Sequence, residues 1–252
     1  MFQKISFLQF VLVLLITCYY SALGQSSKDA FAGFAVVELF TSQGCHSCPP
    51  ADKILSEIIA GARKSKKPVY AISYHVDYWN KLGWKDPYSS KSFTLRQNNY
   101  VSALGGKEVY TPQVFVNGKI AFVGSDPSRL NSEIEKALKS PAKVSLAITK
   151  DSLLRDTLFV SYTSSKSDKN FSLVFSVVQR GVVTKVGKGE NSGKTLTHDN
   201  VVRAFEIIPL SALNGNAKIP VKGLSLSSSF SLYSYVQQKQ TKEILGVTGW
   251  DF

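Results

Sequence analysis

The chain of 252 residues carries 30 Lys and Arg against 18 Asp and Glu, a net charge of +12 and an isoelectric point near 9.5. These cations come as singles and short clusters, with no nucleic-acid motif and no basic stripe interleaved with stacking aromatics, so nucleic acid is not an expected partner. With only three cysteines and three histidines, a closed four-ligand zinc site is also a poor fit.

Residues 1–24 open with Lys4, run through an apolar stretch from Ile5 to Ile16, and end in Ala22-Leu23-Gly24. This pattern predicts a secretory signal peptide cleaved before Gln25. The apolar stretch is shorter than the ~20 residues of a spanning helix, and no later run is longer. The expectation is therefore an exported protein, periplasmic or secreted, with no membrane span once the signal is removed. Such a compartment closes cysteine pairs into disulfides.

From Phe34 the pattern alternates strands and helices. Phe34 to Phe40 reads as a buried strand that leads into Cys45-His46-Ser47-Cys48, and Pro49-Pro50 pre-set the first turn of a helix. That helix carries apolar residues at Ile54, Leu55, Ile58, Ile59 and Ala62, and the cations Arg63 to Lys67 suit its C-terminal end. Val69 to His75 is a second strand and Ser90 to Leu104 a second helix. Asn117-Gly118 between Gln113–Val116 and Lys119–Val123 is a hairpin signal. Asp126-Pro127 then starts a last helix with its apolar face on Leu130, Ile134, Ala137 and Leu138.

At Ser140-Pro141 the pattern changes. Strands are expected at 144–149, 157–162, 171–179, 201–208, 230–236 and 243–247, separated by turn-rich stretches such as Ser164 to Asn170 and Gly187 to Gly193. Short strands at this spacing read as an antiparallel sandwich. Gly187, Gly189 and Gly193 are only superficially like a phosphate loop, since no helix follows them. His198, Asn200 and Arg203 read as hydrogen-bonding and salt-bridging framework, against a ligand or domain-interface site.

After removal of the signal, Cys45 and Cys48 are the only cysteines. Placed at a helix N-terminus, where the dipole and free N–H groups favour a thiolate, they point to redox chemistry or metal binding. Cys45 is expected to be the exposed nucleophile and Cys48 the resolving thiol. His46 would stabilise a Cys45 thiolate and meet the substrate. Glu38, inside an apolar strand, is read either as a buried acid taking the proton of Cys48 or as a carboxylate satisfied by a neighbouring cation. No cofactor is required for disulfide exchange. The alternative is copper(I), held by Cys45, Cys48 and His75, since soft thiolates suit that ion; His75 packed among aromatics is the competing structural reading. A non-catalytic binding module is the third possibility, although a disulfide closing so short a loop stabilises little.

The strand ending in C-x-x-C, the following helix, Thr111-Pro112 before a hairpin strand and the final helix together resemble the thioredoxin superfamily. That resemblance implies a cis Pro112 whose loop, with Thr111, faces the dithiol and binds an extended substrate backbone, and it gives Glu38 the place of the superfamily's buried acid. The segments Glu38 to Cys45, His75 to Trp79, Tyr110 to Gln113 and His198 to Arg203 also resemble a family of exported thioredoxin-like proteins of unassigned function. His46-Ser47 departs from the common thioredoxin Gly-Pro. The expected architecture is an α/β thioredoxin-like domain at 30–140 followed by an all-β antiparallel sandwich-like domain at 141–252. The expected activity is thiol–disulfide exchange with a protein partner.

Overall fold

A computed structural model of the protein describes residues 31–252; the signal peptide expected at 1–24 lies outside the described residues. The described residues form thirteen strands and three α-helices. β1 (Ala35–Thr41) is buried at every position, which only a central strand covered on both faces can be. It pairs in parallel with β2 (Val69–His75) and antiparallel with β3 (Gln113–Val116). β3 continues into β4 (Ile120–Val123) through Asn117-Gly118, both at positive φ as a two-residue hairpin turn requires. α1 (Pro49–Ser65) buries Leu55, Ile59 and Ala62 on one face of this sheet, together with α3 (Pro127–Leu138) through Leu130 and Ile134. α2 (Lys91–Ala103) covers the opposite face with Phe93, Tyr100 and Val101.

The expected α/β thioredoxin-like domain with a separate sandwich is not what the chain builds. The molecule is mostly β, and a single mixed sheet of eight strands runs through both halves in the order β13-β12-β7-β10-β2-β1-β3-β4. Its added strands are β7 (Phe171–Gln179), β10 (Val201–Pro209), β12 (Phe230–Gln238) and β13 (Ile244–Asp251). The junction is β10 on β2: Val201 registers with Ser73, and the Ser73 N–H donates to Asn200 O at 2.9 Å. The physical cause is legible at β2. Its last five residues are buried, so an unpaired outer edge would leave backbone donors and acceptors without partners inside apolar surroundings. β10 covers that edge, and Asn200 ties it with Nδ2 bonds to Ala71 O (2.8 Å) and the Tyr233 hydroxyl (3.2 Å).

β5 (Leu146–Leu154), β6 (Thr157–Ser164) and β11 (Asn214–Pro220) form a second, three-stranded antiparallel sheet. Leu158, Val160 and Ile219 from it share a core with Leu173, Phe175, Val177 and Leu232 of the large sheet. β8 (Val182–Lys185) and β9 (Thr195–His198) pair as a separate hairpin whose connection, residues 186–194, matters for the site. Among the described residues no helix is long and apolar enough to cross a membrane.

Candidate functional site

β1 ends at Thr41, the chain turns through Ser42 to Gly44, and Cys45 and Cys48 follow at the start of α1. Pro49 and Pro50 occupy the first helical positions, and Cys48 is the N-cap. The two cysteines are disulfide-bonded with Cα atoms 5.4 Å apart. The N–H groups expected to support a thiolate are not free. The prolines have none, and those of Ala51 and Asp52 donate to Cys48 O at 2.9 and 3.1 Å. What remains for a thiolate is the helix dipole and the exposed His46 beside the pair.

Neither cysteine is exposed: both have zero relative accessibility, against the expectation for Cys45. On one side Thr111 O lies 3.9 Å from Cys45 Sγ, and Ser47 Oγ lies 3.4 Å from it. The Thr111–Pro112 bond is cis, and the Thr111 hydroxyl accepts from Trp79 Nε1 at 2.7 Å. The chain therefore does bring Thr111 and Pro112 to the cysteines. On the other side the 186–194 segment acts as a strap. Buried Asn191 donates through Nδ2 to Gln43 O (3.0 Å) and Cys45 O (2.9 Å), and its own Oδ1 accepts from Lys194 Nζ. Glu190 Oε2 accepts from the His46 N–H at 2.9 Å. Trp84 packs beside Gly189, which turns at a φ of +76°, and donates to Gln43 Oε1.

Glu38 points to the α2 face and is fully engaged there. Arg96 Nε donates to its Oε1 at 2.9 Å, with Nη2 2.8 Å from the same oxygen; the Tyr235 hydroxyl donates to Oε1 at 2.8 Å and the Tyr100 hydroxyl to Oε2. Burial opposes the Arg96 charge, but Glu38 and the surrounding tyrosines outweigh it and hold its pKa well above the ordinary value. Burial and the same carboxylate keep Tyr100 and Tyr235 protonated far beyond theirs. Of the two readings of Glu38, the carboxylate satisfied by a cation is the one the geometry matches.

The polar groups on the α1 face are different ones. Thr41 and His75 are registered neighbours at the ends of β1 and β2, and α1 brings Asp52 against Thr41. Asp52 Oδ2 accepts from Thr41 Oγ1 at 3.2 Å and lies 3.5 Å from His198 Nδ1, while its Oδ1 is buried with no partner. The His198 ring meets the His75 ring edge-on at 4.7 Å, and His75 Nδ1 bonds Asp86 Oδ2 at 2.7 Å. Nε2 of both histidines is buried without a partner. Burial disfavours a charged His198, but the Asp52 carboxylate, with Asp86 and Asp199 farther off, raises its pKa overall. Burial likewise opposes the Asp86 carboxylate, and His75 with the Gln43 and Tyr88 N–H groups more than offsets this, lowering its pKa. Asp52 and His198 form the floor of a cleft of about 280 Å³ between α1 and β9. Cys45, Cys48 and His75 are not grouped as a metal site: the sulfurs are bonded to each other and His75 Nδ1 is taken by Asp86. No group of three or more His, Cys, Asp and Glu among the described residues could hold a metal ion.

Asn191, Glu190, Asp52 and Asp86 belong to no motif legible in the sequence. Asp52 had a signal, as an acid one helical turn after Cys48 and therefore on its face of α1. His198 reads from the sequence as framework, and its strand leaves no signal there, because Thr195 to His198 is too short to show a period.

A known family model matches residues 36–237, a span containing every residue of the site. The chain belongs to the DUF1223 family, described as proteins of unknown function. A crystal structure of a protein from Agrobacterium tumefaciens is similar over 87% of this DUF1223 chain and 95% of its own, with 28% identity and a TM-score of 0.64. A domain of the outer membrane lipoprotein Omp28 from Porphyromonas gingivalis aligns over 43% of this chain and 94% of its own, at 14% identity and a TM-score of 0.26, too low to bear on the fold. No curated protein matches the sequence.

Proposed function

We propose that the protein is an exported thiol–disulfide oxidoreductase that exchanges electrons with protein partners through Cys45 and Cys48. The observation that carries this reading is local and does not depend on an overall thioredoxin fold: a disulfide between residues three apart, at a helix start, with the Thr111 carbonyl 3.9 Å from Cys45 Sγ. So short a loop gains little by being closed, which leaves chemistry as the reason for the pair. The signal-like residues 1–24 support export.

In the oxidising direction a partner thiolate attacks Cys45 Sγ, the Cys45–Cys48 bond breaks, and Cys48 leaves as the thiolate. A second partner thiolate then attacks its own sulfur in the mixed disulfide, forming the partner's disulfide and releasing Cys45. Two electrons pass from the partner to the pair, and reduction is the reverse. Because the pair is covered, the partner must first displace the contacts of Glu190 and Asn191. The test is to mix the oxidised protein with a reduced, unfolded disulfide protein and follow transfer, with Cys48→Ser used to trap the mixed disulfide on Cys45. Transfer faster than that from oxidised glutathione, and a trapped adduct lost on Cys45→Ser, are expected. An intact Cys45–Cys48 bond with no transfer to the partner would overturn the proposal.

A further inference from the structure

A dithiol that forms and breaks a disulfide needs a group to take and return the proton of its buried sulfur. Glu38 does not serve, since Arg96, Tyr235 and Tyr100 engage both its oxygens on the other face of the sheet. We infer that Asp52 is the proton acceptor for Cys48, positioned by Thr41 and His198 and reaching solvent through the cleft between α1 and β9.

Three observations carry this. Cys48 has helical backbone angles as the N-cap, so Asp52 follows it by one turn on the same side of α1, and both are buried. Asp52 Oδ2 is occupied by Thr41 and faces His198, while Oδ1 is buried without any partner. An orphaned carboxylate oxygen in a native interior is costly, and a proton-transfer role explains why it is kept. Finally, the cleft of about 280 Å³ is lined by Asp52 and His198 and bounded by Pro49, Lys53 and Thr197, which gives the proton a path that bypasses the strap over Cys45.

The inference rests on the exchange chemistry proposed above. With a partner held on Cys45, the Cys48 thiol gives its proton to Asp52 Oδ1 and its sulfur attacks Cys45 Sγ. The Cys45–Cys48 bond forms, the Cys45–partner bond breaks, and the partner sulfur leaves with the electron pair and takes a proton from water. In the reverse direction Asp52 returns the proton to the departing Cys48 thiolate. The groups facing Asp52 are His198 from β9, His75 behind it with Asp86, Asp199 beyond the end of β9, and Lys53 on its own helix.

The experiment has two readouts on Asp52→Asn and His198→Gln. The first is the pH profile of disulfide exchange in otherwise wild-type protein. The second is the ultraviolet titration of the Cys48 thiolate in a Cys45→Ser background. Asp52→Asn is expected to slow resolution by Cys48 about 10²-fold near neutral pH, the low end of general acid–base effects. It is also expected to lower the Cys48 pKa by removing the adjacent carboxylate. His198→Gln should shift the profile while leaving a slower, still pH-dependent reaction. Unchanged rates and an unchanged Cys48 titration in Asp52→Asn would overturn the inference. Wild-type protein without exchange would instead sink the oxidoreductase reading, and the Cys48 titration would still decide whether Asp52 acts on Cys48. If Asp52→Asn does not fold, Thr41→Val, which removes the hydroxyl donor to Oδ2, must move the same Cys48 titration or the inference fails.

Discussion

Replacing Glu38 by glutamine separates a structural anchor from a proton acceptor. In the folded protein its carboxylate neutralises Arg96, which is itself buried and stacked over the rings of Tyr100 at 4.8 Å and Phe205 at 5.3 Å. Breaking a buried pair on one side leaves an uncompensated charge, at a cost of about 3–5 kcal/mol. Glutamine keeps one oxygen for Arg96 and Tyr235 but turns an amide toward the Tyr100 hydroxyl, so the loss belongs near the low end, about 3 kcal/mol. At a urea m value of about 3 kcal/mol/M, that is a fall of roughly 1 M in the unfolding midpoint at unchanged slope. The measurement is urea unfolding of the oxidised protein by tryptophan fluorescence. Removing the orphaned cation as well, in Glu38→Gln with Arg96→Met, should recover a large part of the loss. The reasoning is refuted if Glu38→Gln unfolds within a few tenths molar of the parent while its exchange loses its pH dependence, since Glu38 would then act on the sulfurs.

Two further predictions concern the cover and the acid side of the site. Asn191→Ala leaves Gln43 O and Cys45 O without their buried donor, a cost of about 1–3 kcal/mol, and opens the pair. Reduction of the disulfide by a small dithiol should then speed up about tenfold, the equivalent of 1.4 kcal/mol at the barrier; an unchanged rate would mean the strap does not limit access. For Asp86 the folded pKa lies below the unfolded value of about 3.9, so its contribution is present above that value and is lost as the pH falls through the folded one. Asp86→Asn should therefore flatten the acid limb of the stability profile, and a limb as steep as the parent's would contradict the assignment.

The sequence exposed most of the elements because they have strong local signals. Pro49-Pro50 start α1, Asp126 accepts from the Arg129 N–H to cap α3, and Asn117-Gly118 turns the β3–β4 hairpin. The apolar runs at 171–179 and 230–236 are legible as strands, but their partner is not. A strand's own pattern records which faces are buried and leaves open what covers its edge, so β7, β10, β12 and β13 looked like a second body when they extend the first sheet. β11 was missed because Asn214-Gly215-Asn216 carries turn residues, and β8 and β9 because four residues are too few to show alternation. At the site, Cys45 and Cys48 stand out by their spacing and Thr111 and Pro112 through the thioredoxin resemblance, whereas Asn191 acts through backbone carbonyls, which leave no mark in sequence.

That same edge decides what the site is made of. Val201 registers with Ser73 on the outer side of β2, two residues from His75 at its end, and Asn200, at a φ of +49°, turns the chain there from β9 into β10. His198 precedes Val201 by three residues, so it meets His75 at 4.7 Å and reaches Asp52 on α1. The β8–β9 hairpin that carries His198 also carries the strap, and the strap closes on Gln43, Cys45 and His46. A sandwich folded apart from the first sheet would supply neither group, leaving Cys45 open and Asp52 facing water. Covering the apolar edge of β2 is therefore the step that turns an ordinary C-x-x-C at a helix start into a buried pair with a second, polar wall drawn from the C-terminal half of the chain.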